Sequence, residues 1–456
     1  MYLLQVLKTS NLIKIYALII ASFLFSLTAN SQTAFRFNEK NKHSQQIKFR
    51  LINNLIVIPL EINGKELSFI LDTGVNKTIL FNLSEKDSVS LLNTTKVKLR
   101  GLGNGDAVDA IISTNNTFKI KDLVSNNETV YVILKDFFDL SSKMGTTIHG
   151  IIGYRLLKNT IIKVNYKTQR IYFYNPKTYT YKKCKKCETI PFQFHRKKPY
   201  IDAKVRIDTV GSKFVNVRLL VDSGGSDAMW LFENSKRAIK TPKRFFNDLL
   251  GEGLSGPIYG NRSRVPKFKM GRFVIENPTV SFLDSVSTHN ARKFKERNGS
   301  VGGGVLSRFK VWIDYPNKII TLKKNGSLNS GFNYNMSGLD IVYNGKQLVK
   351  EEIAEKHKNV NDYEMPANNS VSFVTKYSFN FKPSFMIRRV VKNSAAEKAG
   401  LLKGDVILKI NGRQAHDLKL DDIIYKFQER VKKKIRITIK RNGVKMEFEF
   451  RLEKKI

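Results

Sequence analysis

Residues 67–81 read LSFILDTGVNKTILF, and residues 217–232 read VRLLVDSGGSDAMWLF. In both stretches an apolar run leads directly into Asp-Thr-Gly or Asp-Ser-Gly, and apolar residues return a few positions later. The apolar runs predict β-strands, and each triplet predicts a tight turn at the end of its strand. Asp72 and Asp222 are 150 residues apart, which indicates an internal repeat.

A second pair of matching segments lies downstream. Residues 151–153 read Ile-Ile-Gly and residues 301–303 read Val-Gly-Gly, each followed by a similar apolar pattern. Each segment begins 79 residues after its aspartate. One Asp-Thr-Gly triplet would carry little information, but two with equally spaced partners predict a gene duplication and a pseudo-two-fold protein.

The paired turns have a definite chemical use. Glycine allows the turn and a close backbone approach, and the hydroxyl residue can orient the loop through a hydrogen bond. Two such turns facing each other across a two-fold axis would hold two carboxylates so close that they share one proton. One carboxylate can then take a proton from water while the other donates one to a carbonyl oxygen, which hydrolyses an amide without a covalent intermediate.

At these residues the chain resembles the pepsin- and retropepsin-like aspartic peptidases, over about residues 50–326. The resemblance implies a mainly β, bilobal pepsin-like fold (a duplicated retropepsin-like fold). It makes Asp72 and Asp222 the catalytic dyad, supported by the loop residues Thr73, Gly74, Ser223 and Gly224. It also places the family's substrate-covering flap at a glycine-rich hairpin, although an ordinary hairpin could have the same composition. The flap residues would be Gly101, Leu102, Gly103, Asn104 and Gly105.

Neither aspartate turn continues with Ser or Thr, because Val75 follows one and Gly225 the other. Without this additional hydrogen bond to the carboxylates, we expect higher pKa values for the dyad and activity near neutral pH. A catalytically silent, peptide-binding protein on the same fold is the alternative, favoured by the imperfect Val-Gly-Gly at 301–303. A homodimeric retropepsin-like enzyme is disfavoured, because the chain already carries both halves.

The C-terminal third has another pattern. It contains a strand-like run at 385–391, Ala-Gly-Leu at 399–401, Gly-Asp at 404–405, Asn-Gly at 411–412, and then a helix-like segment and a hairpin. This order resembles a PDZ domain, which has an α+β fold. The resemblance implies that a peptide binds as an added strand, at the loop and strand made of Ser337, Gly338, Leu339, Asp340 and Ile341. A PDZ fold used only for packing or dimerisation is the alternative.

An insertion at about 345–382 departs from the PDZ pattern. We expect an amphipathic helix at 348–357 within it, followed by a polar stretch at 359–370. Asp340 would also repel a terminal carboxylate if its side chain pointed into the binding loop. Both features leave recognition of a free C-terminus open.

The N-terminus has the pattern of an export signal. Lys8 and Lys14 precede an apolar run at 15–27, and small residues follow. We therefore expect an exported protein, periplasmic or secreted, with cleavage after Ser31. An uncleaved N-terminal membrane anchor is the alternative, although the run is short for a span. We expect the polar segment that follows to be loosely ordered.

The chain has 456 residues, with 79 Lys and Arg against 39 Asp and Glu, and a formal net charge of +40. Because the basic residues are spread along the sequence, we expect solvated charged surfaces and no nucleic-acid partner. A loose association with an anionic envelope surface is compatible with this charge. The partners that we expect are an extended peptide or protein substrate and a peptide ligand of the PDZ domain, bound by a monomer.

Other motifs exclude other classes of function. Two cysteines, Cys184 and Cys187, and six scattered histidines do not supply a four-ligand zinc site, and we expect a local disulfide after export. Residues 251–256 have the spacing of a dinucleotide-binding loop, but a helix-like segment at 245–250 precedes them and Pro257 follows. We therefore assign them to a loop of the second lobe. We expect no metal and no organic cofactor.

These inferences divide the chain into successive segments. They are a signal peptide at 1–31, a polar N-terminal segment at 32–49, a first protease lobe at 50–180, a basic link at 181–189, a second protease lobe at 190–326 and a PDZ domain at 332–456. The function that we expect is hydrolysis of peptide bonds by an exported aspartic endopeptidase, with the PDZ domain recruiting a substrate or a regulator.

Overall fold

The computed structural model describes residues 34–38, 43–83, 87–101, 105–134, 139–207, 213–253, 255–358 and 371–456. Strands account for 52% and helices for 8%, which confirms the mainly β fold class. Within the described ranges, no helix combines the length and the apolarity needed to cross a membrane. The predicted signal peptide at 1–31 lies outside the described residues.

The first half of the chain consists of short apolar strands separated by turns. Its strands are β1 (Arg36–Phe37), β2 (Ser44–Lys48), β3 (Arg50–Ile52), β4 (Leu55–Ile62), β5 (Lys65–Leu71), β6 (Thr78–Leu80), β7 (Thr95–Leu99), β8 (Val108–Ile120), β9 (Leu123–Val132), β10 (Gly150–Ile152), β11 (Ile161–Asn165) and β12 (Arg170–Tyr174), with helices α1 (Leu140–Met144) and α2 (Tyr154–Leu157). Asn63 and Gly64 join β4 to β5, and both have positive φ, as a tight hairpin turn requires.

The second half repeats this composition. Its strands are β13 (Cys187–Pro191), β14 (Gln193–His195), β15 (Lys198–Arg206), β16 (Phe214–Val221), β17 (Met229–Phe232), β18 (Phe246–Gly253), β19 (Gly256–Arg264), β20 (Lys267–Met270), β21 (Phe273–Glu276), β22 (Thr279–Leu283), β23 (Arg297–Val301), β24 (Phe309–Asp314) and β25 (Ile319–Lys324), with helix α3 (Gly303–Leu306) and a 3-10 turn at Ala291–Lys293. The helix-like interpretation of 245–250 is wrong, because residues 246–250 belong to β18, which pairs with β19.

The two halves form sheets with matching topology. The first has the order β1-β9-β6-β10-β5-β4-β8-β7, with β3 beside β4, and the second has the order β18-β19-β22-β17-β23-β16-β15-β20-β21, with β14 beside β15. In both sheets the strand before the aspartate runs parallel to the strand of the downstream motif, β5 beside β10 and β16 beside β23. One hydrophobic cluster spans both halves, and each half has a smaller cluster of its own. The topology supports the duplication inferred from the repeats.

A third sheet joins the halves, in the order β13-β25-β24-β11-β12-β2. Its central strands β11 and β24 are antiparallel, with Lys163 opposite Trp312. Strand β2 lies at one edge, paired with β12, so the expectation of a loosely ordered segment is wrong there. Gln45 of β2 is buried, and its Nε2 donates to the Ile120 carbonyl at 2.8 Å. Its Oε1 accepts from the Asp122 N–H at 2.9 Å, so both polar atoms of the buried amide are hydrogen-bonded. The polar composition of this segment does not by itself predict such an ordered strand.

The C-terminal part forms a separate sheet with its own hydrophobic core. Its elements are β26 (Leu339–Lys358), β27 (Val371–Val390), β28 (Val406–Ile410), β29 (Arg413–Gln414), β30 (Lys434–Arg441) and β31 (Val444–Arg451), with helices α4 (Ala395–Lys398) and α5 (Leu420–Lys426) and a 3-10 turn at Ala415–Asp417. The sheet order is β26-β27-β28-β30-β31, with β29 beside β28. Helix α5 corresponds to the predicted helix-like segment, and β30 and β31 form the predicted hairpin.

The amphipathic helix predicted at 348–357 is wrong. Residues 346–358 of β26 pair with residues 371–383 of β27, so the insertion is a long two-stranded ribbon. The partner segment alternates aromatic or β-branched residues with other residues from Thr375 to Phe381, which is the period of a strand. Pairing with this strand outweighs the helical spacing that residues 348–357 show when considered alone.

Candidate active site

The two aspartate turns stand at the ends of matching strands, because β5 and β16 each end one residue before the aspartate. The Asp72 N–H donates to the Ile152 carbonyl at 2.9 Å, and the Asp222 N–H donates to the Val301 carbonyl at 2.9 Å. The downstream motif of each half therefore fixes the aspartate turn of the same half.

These hydrogen bonds correct the alignment of the downstream motifs. Ile152 is the counterpart of Val301, so Gly153 corresponds to Gly302 and the second half is one residue shorter. The N–H groups of the following helices agree with this register, since Leu157 donates to the Gly153 carbonyl and Leu306, also four residues on, donates to the Gly302 carbonyl. The apparent replacement of an apolar residue by glycine at 302 was thus a misalignment by one position.

The two turns are hydrogen-bonded to each other. Thr73 Oγ1 donates to the Val221 carbonyl at 2.6 Å and accepts from the Ser223 N–H at 3.0 Å. In the opposite direction, Ser223 Oγ donates to the Leu71 carbonyl at 2.7 Å and accepts from the Thr73 N–H at 3.0 Å. Both hydroxyls are buried. Thr73 and Ser223 thus do more than support their own loops, because they connect the two halves of the site.

This connection brings the Asp72 and Asp222 carboxyls into hydrogen-bonding contact. The Gly74 N–H donates to Asp72 Oδ1 at 2.6 Å. A Cβ atom at Gly74 would lie 3.0 Å from Oδ1 of each aspartate, and one at Gly224 would overlap the Asp72 carboxyl. The two glycines are therefore needed for the close approach of the turns.

Burial disfavours the ionised form of both carboxyls. Burial, followed by the negative charge of Asp222, raises the pKa of Asp72 from 3.8 to about 7. Burial also raises the pKa of Asp222, whereas the positive charges of Arg297 and Lys198 oppose this rise. Below about pH 7, and above the pKa of Asp222, the pair is expected to hold one proton, on Asp72.

Two hairpin tips contact each other. Strands β7 and β8 form the predicted flap hairpin, in which Gly101 and Gly105 are described and Leu102, Gly103 and Asn104 lie outside the described residues. The Gly105 N–H donates to the Ser255 carbonyl at 2.6 Å, and the Gly101 N–H donates to Ser255 Oγ at 3.2 Å. Ser255 lies between β18 and β19, the counterparts of β7 and β8. The glycine-rich segment at 251–256 is therefore the tip of a second hairpin that contacts the first.

Comparison with known protein families agrees with this geometry. The aspartyl protease family model matches residues 58–156, which include Asp72 and the downstream motif of the first half. A PDZ domain model matches residues 386–441. The chain contains an aspartyl protease domain and a PDZ domain. A search of curated proteins finds no match. Since the protease match ends before Asp222, the assignment of the second half depends on its topology and on its hydrogen bonds to the first.

Two cations close to the protease dyad, Lys198 and Arg297, were not predicted from the sequence. Both charges lower the pKa of Asp222, and Lys198 also lowers that of Asp72. Burial, together with the charge of Arg297, lowers the pKa of Lys198 itself. The register of β15 on β16 and of β4 on β5 makes Leu55 the counterpart of Lys198 in the first half. A position-by-position comparison of the repeats would have shown this asymmetry.

The predicted binding loop of the PDZ domain bonds to its own side chains. The Ser337 N–H donates to Asn335 Oδ1 at 3.0 Å, and the Leu339 N–H donates to Ser337 Oγ at 3.0 Å. Gly338 has a φ of +83°, and its carbonyl accepts from the Val391 N–H at 2.8 Å. Two amides of the loop are thus already engaged, so they do not point freely at a ligand carboxylate.

Asp340 forms an ion pair beside this loop. Its Oδ2 accepts from Arg388 at 3.0 Å (Nε) and 2.6 Å (Nη2), which balances the charge that was expected to repel a ligand. The next residue, Arg389, donates to Asp248 of β18 at 3.0 Å. Ile341 is buried in the core of the PDZ domain. The Arg389–Asp248 contact connects the PDZ domain to the second hairpin of the protease.

The link between the protease halves is held against the second sheet. Cys184 and Cys187 form the expected local disulfide. Arg272 donates to Glu188 at 2.6 Å and to the Lys185 carbonyl at 3.2 Å. Among the described residues, no group of three or more His, Cys, Asp or Glu side chains is arranged to hold a metal ion.

Proposed function

We propose that the protein is an aspartic endopeptidase that hydrolyses peptide bonds with a water molecule activated by Asp72 and Asp222. The contact between these two buried carboxyls, on turns connected through Thr73 and Ser223, is the observation that carries this proposal. An extended substrate chain would lie between the dyad and the two hairpin tips.

The nearby charges assign different roles to the two carboxyls. Asp222, stabilised as an anion by Arg297 and Lys198, accepts a proton from the attacking water, while Asp72 donates its proton to the carbonyl oxygen. The water oxygen bonds to the carbonyl carbon and gives a neutral tetrahedral intermediate. On collapse the C–N bond breaks, Asp222 passes its proton to the leaving nitrogen, and Asp72 regains a proton from a hydroxyl group. All protons come from the water and the dyad, so this sequence uses no cofactor.

We further propose that the protein is exported to the periplasm or secreted, because residues 1–31 have the pattern of a cleaved signal. We also propose that it acts as a monomer, because one chain carries both aspartate turns. Its PDZ domain would recruit a substrate or a regulator. Cell fractionation and N-terminal sequencing of the full-length product test the export. A mature chain that begins at Gln32 supports cleavage, whereas an intact N-terminus in the membrane fraction indicates the anchored alternative.

The decisive test of the enzyme is cleavage of a peptide library between pH 3 and 8, read by mass spectrometry. Asp72→Asn and Asp222→Asn should each abolish cleavage, since neither carboxyl alone can hold one proton and accept another. Asp109→Asn is the matched control, because Asp109 is exposed on β8 and pairs with Lys98 at 3.8 Å. A folded wild-type protein that binds peptides and cleaves none would instead indicate the catalytically silent peptide-binding protein.

A further inference from the structure

A cavity of about 360 Å³ is lined by both the protease and the PDZ domain. Its protease wall includes residues 224–226, which directly follow Asp222, and its PDZ wall includes residues 338–341 and Ile424 of α5. The cavity therefore coincides with part of the groove in which a PDZ ligand adds as a strand. That groove opens toward the catalytic turn.

The protease closes the other end of the same groove. Helix α1 packs along β26, and Gly145, which follows α1, lies beside Leu420 at the start of α5, where an added Cβ would come within 3.1 Å. The backbone of Asn53 also hydrogen-bonds the carboxyl of Asp421. A PDZ ligand several residues long would have to displace these contacts. A chain that enters the groove from the side of the dyad would leave them in place.

The wall of this cavity carries more positive than negative charge. Among the described side chains that line it, four are cationic and two are anionic, namely Lys143, Arg388, Arg389 and Lys455 against Asp248 and Asp340. Asp248 is itself shared between Arg389 at 3.0 Å and Arg262 at 3.2 Å. Nε of Arg389 is buried and has no hydrogen-bond partner among the described residues. This atom lies 4.0 Å from Oδ2 of Asp340. The Arg389 side chain as a whole is 37% exposed and lines the cavity, so a ligand carboxylate can approach its guanidinium and form a charge-assisted hydrogen bond.

We propose that this cavity is an extended subsite of the protease that binds a carboxylate of the substrate chain held across the dyad. The inference rests on the proposed function and adds a substrate class, namely peptides with a carboxylate at a fixed distance from the scissile bond. In this arrangement the PDZ domain is part of the wall of the cleft. The carboxylate has two sources with the same chemistry, an Asp or Glu side chain and a free C-terminus.

Binding can be measured without catalysis on the full chain carrying Asp72→Asn and Asp222→Asn. The probes are C-terminally amidated decapeptides of apolar residues, labelled with an uncharged fluorophore, in which a single Asp is moved through the positions. An all-neutral amidated peptide with the same label is the reference. A third set has no acidic side chain and a free C-terminus. We expect a carboxylate at one position to lower the Kd about tenfold relative to the reference, with a smaller gain at higher salt. Whichever set shows the gain identifies the source of the carboxylate.

The gain should disappear in a variant that removes the donor and one charge, Arg389→Lys combined with Lys455→Gln. Lys455→Gln alone is the milder variant. The ammonium of Lys455 lies 5.5 Å from the centroid of the Phe246 ring. Its replacement should reduce the gain in affinity while leaving the fold intact. Arg436→Gln is the matched control, since Arg436 is an exposed cation on β30 that pairs with Glu449 at 3.2 Å. It should leave the gain unchanged.

Equal affinity for acidic and neutral peptides, or a gain that persists in the folded variants at Lys455, would overturn the subsite. The wild-type chain reports separately on the proposed function. If peptides with a carboxylate bind preferentially but none is cleaved, the proposed subsite is supported and the proposed enzyme function is wrong. If peptides are cleaved with no preference for a carboxylate at any position, the proposed enzyme function is supported and the proposed subsite is wrong.

Discussion

Replacing Thr73 with alanine should destabilise the protease domain by separating its two aspartate turns. The hydroxyl donates to the Val221 carbonyl and accepts from the Ser223 N–H. Alanine leaves both groups buried without a partner, and each lost bond of this kind costs about 1–2 kcal/mol, so the free energy of unfolding should fall by about 2–4 kcal/mol. Thr73→Ser keeps the hydroxyl and should cost about 1 kcal/mol for the lost methyl group.

Urea unfolding followed by tryptophan fluorescence is a suitable assay. The two tryptophans of the chain, Trp230 and Trp312, lie in β17 and β24, so the signal reports on the protease sheets and not on the PDZ domain. The same preparations should be assayed for peptide cleavage. Because misplacement of reacting groups by about 1 Å can cost on the order of 100-fold in rate, Thr73→Ala should lose most of its activity and Thr73→Ser should retain much of it.

Two results would refute this reasoning. The first is a loss of stability in Thr73→Ala that is no larger than in Thr73→Ser. The second concerns Ser223→Ala, which breaks the symmetric pair of bonds. The double alanine variant should lose less stability than the sum of the single variants, because the remaining bonds are weakened once the turns separate. Strict additivity would mean that the two hydroxyls act independently.

Three further predictions concern the dyad. Because burial raises the pKa of the Asp72 carboxyl from 3.8 to about 7, the one-proton state is lost as the pH rises through 7. Cleavage rates should fall there. The free energy of unfolding should also fall as the pH rises from about 4 to 7, because over this range the folded protein still binds a proton that the unfolded chain has released. A cleavage rate that peaks below pH 4 contradicts this. Lys198→Leu removes a charge that lowers the pKa of both carboxyls, so the alkaline limb of the rate profile should move to higher pH, whereas Lys204→Leu on the exposed face of β15 should not move it. Gly224→Ala should reduce cleavage by more than about 100-fold because its Cβ overlaps the Asp72 carboxyl, whereas Gly326→Ala, in open space, should be silent.

The paired turns could be predicted because their information is local and occurs twice. A buried strand that ends in Asp, a hydroxyl residue and Gly restricts the backbone to a tight turn. Equal spacing of the downstream motifs indicated the two-fold relation, although a one-residue difference between the halves shifted the match at 301–303. The reciprocal bonds of Thr73 and Ser223 follow from the symmetry, but only the structure shows their directions.

Features that depend on distant partners could not be predicted in this way. Residues 348–357 and 245–250 have apolar spacings compatible with a helix, and their strand state is decided by the strands that pair with them, β27 and β19, which their own spacing does not show. Lys198 and Arg297 reach the dyad through sheet register, which a spacing pattern does not show. The docking of the PDZ domain on the protease depends on single contacts such as Arg389 with Asp248, and no periodicity encodes these.

The six-stranded sheet has a consequence for how the halves could be separated. Strands β2, β11 and β12 lie on one side of it and β13, β24 and β25 on the other. Within this sheet the halves meet at one antiparallel seam of five residue pairs, from Ile161 opposite Asp314 to Asn165 opposite Lys310. The chain crosses from one side to the other only through the segment before β13. Two polypeptides divided in that segment would each retain a complete set of strands and a self-complementary edge. We expect them to reassociate when co-expressed, as the subunits of a dimer do, and a fused pair of identical ancestors would have had the same seam.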